Sequence, residues 1–284
     1  MGNQKKAVVV GGSNGIGLAI SKDLIERGYY LEICDRHCPD EGVLDQNAFH
    51  HNYCDLLDFD EELFYSLAAD QNVELLMVTA GIGRVADFQF HHTAEIEKML
   101  TVDTVSTIKI FRIFYDRILK DNCFYAGVMG SISGWMSTPS AAVYAAAKAG
   151  VVRFVESVNI ELEAYCSKNR ILDVSPASFK GSKFYGGKND LSITGPLAEQ
   201  ILEHLFSRDT RFIPQYEETF KAVLERYAAD EAGCPVVESD KPKELVFAIR
   251  KVMNGEKENK AKGFFLQNCG ITKNSKKYTE IITR

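Results

Sequence analysis

The chain is poor in the features that mark a secreted, membrane-bound or nucleic-acid-binding protein. It has 7 cysteines in 284 residues, at positions 34, 38, 54, 123, 166, 234 and 269. The number is odd and no Cys-x-x-Cys pair occurs, which argues against a disulfide framework or a zinc ribbon and for reduced thiols. No apolar run approaches the roughly 20 residues needed to span a bilayer. The opening stretch MGNQKKAVVVGG places a basic pair before an apolar run. That run is too short for the core of a signal peptide and passes directly into glycines, so no signal peptide is expected. Positive charge is also scarce: 33 Lys and Arg face 39 Asp and Glu, a formal net charge of −6. Nucleic-acid binding needs clustered Lys and Arg, so this acidic balance argues against a nucleic-acid surface. The histidine doublets His50-His51 and His91-His92 have no acid or cysteine at a metal-ligand spacing, so no metal site is expected. These absences predict a soluble cytoplasmic protein without membrane or nucleic-acid partners.

What is present is ordinary globular composition, with 45% hydrophobic and 25% charged residues, and a length that suits one large domain. Short apolar runs alternate with helical patterns. Strands are predicted at 7–11, 29–34, 48–54, 73–78, 123–131 and 171–175, with helices at 16–28, 61–70, 94–119 and 142–167. This alternation predicts an α/β fold, a doubly wound parallel sheet (Rossmann fold) of about seven strands with helices on both faces. Such sheets bind ligands at the carboxyl ends of their strands, where the winding reverses. After Pro176 the alternation stops. Helices are expected near 195–206 and 215–229, then a helix at 241–256 and a last strand at 263–267. The span 177–232 reads as a lid or substrate-binding insertion on the single domain 1–284, and 270–284 as a tail.

The segment VVVGGSNGIG places Gly11, Gly15 and Gly17 between the first strand and the first helix. A glycine turn there lets backbone N–H groups approach a pyrophosphate, and the helix N-terminus adds a favourable dipole. Asp35 follows about 20 residues later, at the end of the second strand. Its carboxylate suits a ribose 2′-hydroxyl and repels a 2′-phosphate, whereas the adjacent Arg36 would attract that phosphate. Asn14 adds no positive charge, so NAD is preferred over NADP. The run Gly11-Gly12-Ser13-Asn14-Gly15 also matches the Gly-x-Ser-x-Gly elbow of hydrolases. That elbow needs an earlier loop for its oxyanion hole, and this one follows the first strand, so the hydrolase reading is set aside.

The stretch SISGWMSTPSAAVYAAAKAG (131–150) carries Tyr144 and Lys148 at i and i+4, on one face of a helix crowded with alanine. Together with the glycine loop, these motifs resemble those of the short-chain dehydrogenase/reductase family, in its classical branch rather than the sugar-nucleotide epimerases. The resemblance covers residues 5 to about 180. It implies a cofactor site built from Gly11, Ser13, Asn14, Gly15, Ile16, Gly17, Asp35, Arg36, Asp55, Leu56, Ala80, Gly81, Tyr144, Lys148 and Pro176. Asp55 in YCDLLD resembles the acid that meets the adenine amino group. VTAG (78–81) resembles the turn after the fourth strand, and SPASFKGS (175–182) the segment that closes over the nicotinamide. Ser131, Tyr144 and Lys148 match the catalytic set, Ser131 and Tyr144 being thirteen residues apart. Asp103 stands where a fourth catalytic residue, Asn, is usual. Val10, Thr79 and Ala177 also depart from the family pattern.

The expected chemistry follows from these groups. Tyr144 exchanges the substrate proton, Ser131 orients the substrate oxygen, and Lys148 lowers the tyrosine pKa and holds the nicotinamide ribose. An extra carboxylate at Asp103 would favour the ammonium form of Lys148. The resemblance thus implies an NAD-dependent oxidoreductase interconverting a secondary alcohol and a ketone. The alternative is a non-catalytic dinucleotide-binding regulator on the same fold. Trp135, Met136, Phe88, Phe179, Phe184 and Tyr185 flank positions that would border an apolar substrate. The helices 94–119 and 142–167 resemble the pair that builds the family's dimer face, so a homodimer or homotetramer is expected. The crossover 36–48 is barely the dozen residues a parallel connection needs, so its helix is expected to be truncated.

Overall fold

A computed structural model of the chain describes residues 4–120, 123–137, 139–178, 181–182, 184 and 187–229. Within them, seven strands form one parallel sheet in the order β3-β2-β1-β4-β5-β6-β7. They are β1 (Lys6–Val10), β2 (Tyr30–Asp35), β3 (Phe49–Tyr53), β4 (Val73–Val78), β5 (Tyr125–Met129), β6 (Ile171–Val174) and β7 (Arg211–Phe212). The central strands read as nearly unbroken apolar runs because helices cover both faces of the sheet.

On one face, α2 (Glu61–Ala69), α4 (Ser106–Lys120) and α5 (Ala142–Ala164) pack Phe64, Phe111, Phe114, Val151 and Val155 against Val8, Leu76, Val128 and Ile171. On the other, α1 (Gly15–Glu26) and α6 (Leu191–Phe206) bring Leu18, Ile20, Leu197, Ile201 and Leu205 onto Val9, Ile33, Met77 and Val174. The buried Asn159 latches α5 to the sheet: its Nδ2 donates to the Ile171 carbonyl at 2.8 Å, and its Oδ1 accepts from the Ile171 N–H at 2.8 Å.

The structure departs from the sequence expectations at three places. Residues 36–48 hold turns and no helix, so the short crossover does not merely truncate its helix. The expected helix 94–119 divides into α3 (Thr93–Leu100), a π-turn (Thr101–Val105) and α4. Widened turns of this kind are rare and often mark functional positions; this one carries Asp103. The span 177–232 also divides. Its residues 191–206 form α6, whose apolar positions dock on α1, and Arg211–Phe212 extends the sheet beside β6.

The chain separates at Pro214 into two compact units, Met1–Pro214 and Gln215–Arg284. In the second, a π-turn (Tyr216–Phe220) leads into α7 (Lys221–Ala229). The helix expected at 241–256, the strand at 263–267 and the tail 270–284 lie outside the described residues.

Candidate active site

The winding reverses between β1 and β4, and the glycine loop sits at their carboxyl ends. Gly11 has φ +84°, a conformation that L side chains rarely adopt, and a Cβ there would lie 2.5 Å from the Ala80 nitrogen. A Cβ on Gly17 would overlap the Gly11 carbonyl oxygen and Thr79 Oγ1. These positions need glycine for close approach of backbone to backbone. Thr79 fixes the loop: its hydroxyl is 3.0 Å from the carbonyl oxygens of both Val10 and Gly11 and donates to them. It stands in the family's Asn position and does so by gripping the main chain.

Asp35 closes β2 beside this loop. Its Oδ2 accepts from the Ser13 N–H at 3.2 Å and its Oδ1 from the His37 N–H at 3.3 Å. The carboxylate is therefore aimed at the mouth of the loop, while Arg36 is exposed. Asp55 follows β3 and accepts from Leu57 N–H at 3.0 Å, and the Leu56 carbonyl is held by Ser106 Oγ at 2.8 Å. The backbone N–H of Ala80 donates to Val10 at 3.0 Å. Gly81 continues that turn; a Cβ there would lie 3.3 Å from both Asp103 Oδ1 and Lys148 Nζ. Asp35, the glycine loop and the Asp103–Lys148 pair thus follow one another at the carboxyl ends of the central strands, and the glycine cradle and carboxylate fit a dinucleotide.

The proposed catalytic side chains converge at the far end. Ser131 follows β5, is buried, and accepts from the Ser133 N–H at 3.2 Å, which turns the chain into a short 3₁₀ segment. Its side chain lies close enough to the Tyr144 hydroxyl to favour the phenolate. Lys148, one helical turn on, is buried; its ammonium donates to the Met129 carbonyl at 2.9 Å and stands 3.9 Å from Asp103 Oδ2. Asp103 Oδ1 accepts from the Ile82 N–H at 2.7 Å, whereas its buried Oδ2 has no hydrogen-bond partner.

The electrostatics differ from expectation. Burial pushes the Tyr144 phenol up to about 12; the Ser131 side chain works against that and the Asp103 charge adds to it. The Lys148 ammonium is held by the Met129 carbonyl and Asp103 and lies over the Tyr144 ring, 5.8 Å from its centroid. Asp103 is itself held above the usual carboxylate range by burial, against the pull of Lys148. Removing its charge should lower the Tyr144 pKa, because a nearby negative charge disfavours the phenolate. Asp103→Asn is therefore expected to move the alkaline limb of the pH–rate profile to lower pH, as seen in initial rates across a buffer series.

The contacts made to Gly15 had no signature in the sequence. The Gly15 N–H, a natural phosphate donor, donates to Asn189 Oδ1 at 2.9 Å, and Ser182 lies over Gly15. Phe184 packs against Tyr144 with ring centroids 5.9 Å apart. Among the other aromatics expected to border substrate, Trp135 and Met136 are half-buried next to Ser131 and Phe88 is exposed, while Phe179 and Tyr185 lie outside the described residues. His50 and His51 serve different partners on β3, His50 beside Glu32 and His51 at the Asp35 carbonyl.

Comparison with known proteins yields a consistent picture. Residues 5–182 match the sequence profile described as short chain dehydrogenase. The dehydrogenase RED2 of Cochliobolus heterostrophus is 28% identical over 166 residues, covering 56% of this chain and 62% of RED2, less than two thirds of its length. Carbonyl reductase family member 4 of Xenopus tropicalis is 28% identical over 163 residues, 56% of this chain and 69% of that protein. Among solved structures, a short-chain dehydrogenase from Streptomyces avermitilis superposes with a TM-score of 0.66 at 18% identity, covering 79% of this chain and 95% of that one. A short-chain dehydrogenase from Sphingobium yanoikuyae in complex with NADPH gives 0.63 at 19% identity, covering 84% and 99%. The matched profile spans more than half of the sequence and contains the glycine loop, Asp35, Asp103, Ser131, Tyr144 and Lys148: the chain belongs to the short-chain dehydrogenase family.

Proposed function

We propose that this chain is an NAD-dependent oxidoreductase that interconverts a secondary alcohol and a carbonyl compound, with Tyr144 as the general acid/base. The observation that carries this reading is the convergence of Ser131, Tyr144 and Lys148, with Lys148 buried, held by the Met129 carbonyl and 5.8 Å from the Tyr144 ring centroid. A bound nicotinamide supplies the hydride or accepts it. The protein's part is positional and protonic. Ser131 donates to the substrate oxygen, and Tyr144 gives that oxygen a proton in reduction or takes one in oxidation. A phenol held at about 12 is fully protonated at neutral pH, the form that gives up a proton in reduction. Lys148, fixed by Met129 and Asp103, is placed to meet the ribose hydroxyls.

Asp35 favours NAD: its carboxylate is aimed at the loop and repels a 2′-phosphate. Several similar proteins of known structure hold NADP or NADPH, so the preference needs a direct measurement. Titration with NADH and separately NADPH, followed by nicotinamide fluorescence, should show tighter NADH binding in wild type. In Asp35→Ala the discrimination should collapse. Equal affinities in wild type would overturn the NAD assignment, and no binding of either would overturn the enzyme reading. The partly unmatched Asp103 and the high Tyr144 pKa favour one second reading, a dinucleotide-binding regulator without turnover. We further take the protein to be cytoplasmic and homo-oligomeric, a dimer or tetramer. Ile160 and Tyr165, at and beyond the end of α5, and Val105 before α4 leave apolar surface exposed, as a helix-mediated self-interface would require. Ser182 and Asn189 against Gly15, and Phe184 against Tyr144, suit the lid expected within 177–232.

A further inference from the structure

Asp173 is a buried carboxyl group that the proposed reaction does not use. It lies on β6 with 2% of its surface exposed. Such a group in a strand interior is costly unless it is fully hydrogen-bonded. Here it is: Ser175 Oγ donates to it at 2.9 Å, and the Trp135 indole Nε1–H reaches Asp173 Oδ2 at 3.2 Å and Ser175 Oγ at 3.1 Å. Gly130 packs so tightly on Asp173 Oδ1 that a Cβ there would overlap it.

Gly130 and Trp135 are the two ends of the turn that carries Ser131. The middle of the turn is pinned as well, by Ile132 N–H donating to the Pro176 carbonyl at 3.1 Å. Its Gly134 lies against the backbone of Lys148. The outer side of the indole is covered by Arg211, 4.7 Å from the ring centroid, and Arg153, at 6.0 Å.

We propose that Asp173, with Ser175, is a positioning residue that clamps the Gly130–Trp135 turn, setting the place of Ser131 and holding Trp135 as a wall of the substrate pocket. The functional half rests on the reading of Ser131 and Tyr144 as the substrate-facing groups; the clamp itself does not.

The clamp is proton-sensitive. An ionised carboxylate accepts from both the Ser175 hydroxyl and the indole, and charge-assisted bonds are the stronger kind. A protonated one must turn its own O–H on a neighbour and loses an acceptor. Burial pushes the Asp173 carboxyl up to about 6, opposed by the hydrogen bonds from Ser175 and Trp135 and by the charges of Lys148 and Arg211. The charged groups around the carboxyl and the indole are therefore Lys148 and Arg153 from α5 and Arg211 from β7.

Trp135 is the chain's only tryptophan, so its fluorescence reports this turn directly. Emission of the full chain, excited selectively over tyrosine, should change between about pH 5 and 8 with a midpoint near the Asp173 value of about 6. Asp173→Asn should flatten the titration. Ser175→Ala removes a bond to the ionised form and should raise the midpoint, which keeps the test decisive if the first variant fails to fold. In the kinetic arm, acetophenone reduction with NADH, kcat/KM should fall by about ten- to a hundredfold in Asp173→Asn, while NADH affinity is unchanged. A flat wild-type emission, or a midpoint that neither substitution moves, overturns the proposal. Failure of the wild type to reduce acetophenone bears on the oxidoreductase reading and leaves the emission result to decide this one.

Discussion

Replacing Tyr144 with Phe is expected to reduce turnover by about a hundred- to ten-thousandfold, the range that one positioned proton donor contributes. NADH affinity should be retained. The substitution removes one hydroxyl beside Ser131, and the ring keeps its packing against Phe184. The loss should therefore appear in kcat with little change in dinucleotide binding, the pattern of an interaction made mainly in the transition state. The pH dependence has a definite sign. Because the phenol sits at about 12, the donor form stays fully populated across the neutral range, and the reductive rate should not fall on the alkaline side until the pH nears that value. Stopped-flow single turnovers with wild type and variant would check this. Full activity in Tyr144→Phe would mean that the proton comes from elsewhere and that the convergence of Ser131, Tyr144 and Lys148 is not catalytic.

The second large effect is expected at Gly17. An added methyl group would overlap the Gly11 carbonyl oxygen, a backbone atom that cannot swing aside, as well as Thr79 Oγ1. Gly17→Ala must then push α1 away from the loop or break the Thr79 bonds to Val10 and Gly11. Overpacking of this kind costs about 1–3 kcal/mol, and it should also weaken NADH binding by more than about tenfold, since the loop N–H groups lose their aim. Gly28→Ala provides the contrast. Gly28 ends α1 at φ +86°, and a methyl group added there would meet nothing within 4 Å. Only the left-handed strain of about 1–2 kcal/mol is then added, and NADH affinity should hold. Denaturant unfolding and fluorescence titration of the two variants separate these outcomes. Equal NADH affinity in Gly17→Ala and wild type would show that the loop's shape does not govern binding.

Much of this architecture is legible in the amino-acid order alone. The strands β1, β2 and β4 announce themselves because a doubly covered parallel strand must be apolar on both faces, and Asp35 and Gly28 mark where such elements end. Tyr144 and Lys148 are legible because a helix repeats every 3.6 residues and places i and i+4 together. Other features rest on contacts that no local pattern encodes. The two-residue β7 is too short to show a period. The docking of α6 on α1 needs partners far apart in sequence, which is why 191–212 resembled part of an insertion. The π-turn at 101–105 leaves the apolar spacing of its helix nearly intact while redirecting Asp103. The bond from Gly15 to Asn189 spans 174 positions, and Asp173 reads as an ordinary polar interruption until Trp135 is seen above it. The shift of Tyr144 also lay beyond the sequence, because it depends on how deeply the folded chain buries the phenol.

The grip of Thr79 on the glycine loop has a consequence for how the protein assembles. Its two bonds join positions 69 and 68 residues apart, so the loop acquires its shape only when β4 has docked beside β1. Closing a loop of that length costs conformational entropy that local turns cannot recover, and a nascent chain ending before β4 would present the glycines without the geometry. Dinucleotide affinity is then a property of the assembled half-sheet, and by mass action a dinucleotide that binds only that state stabilises β1, α1 and β4 together.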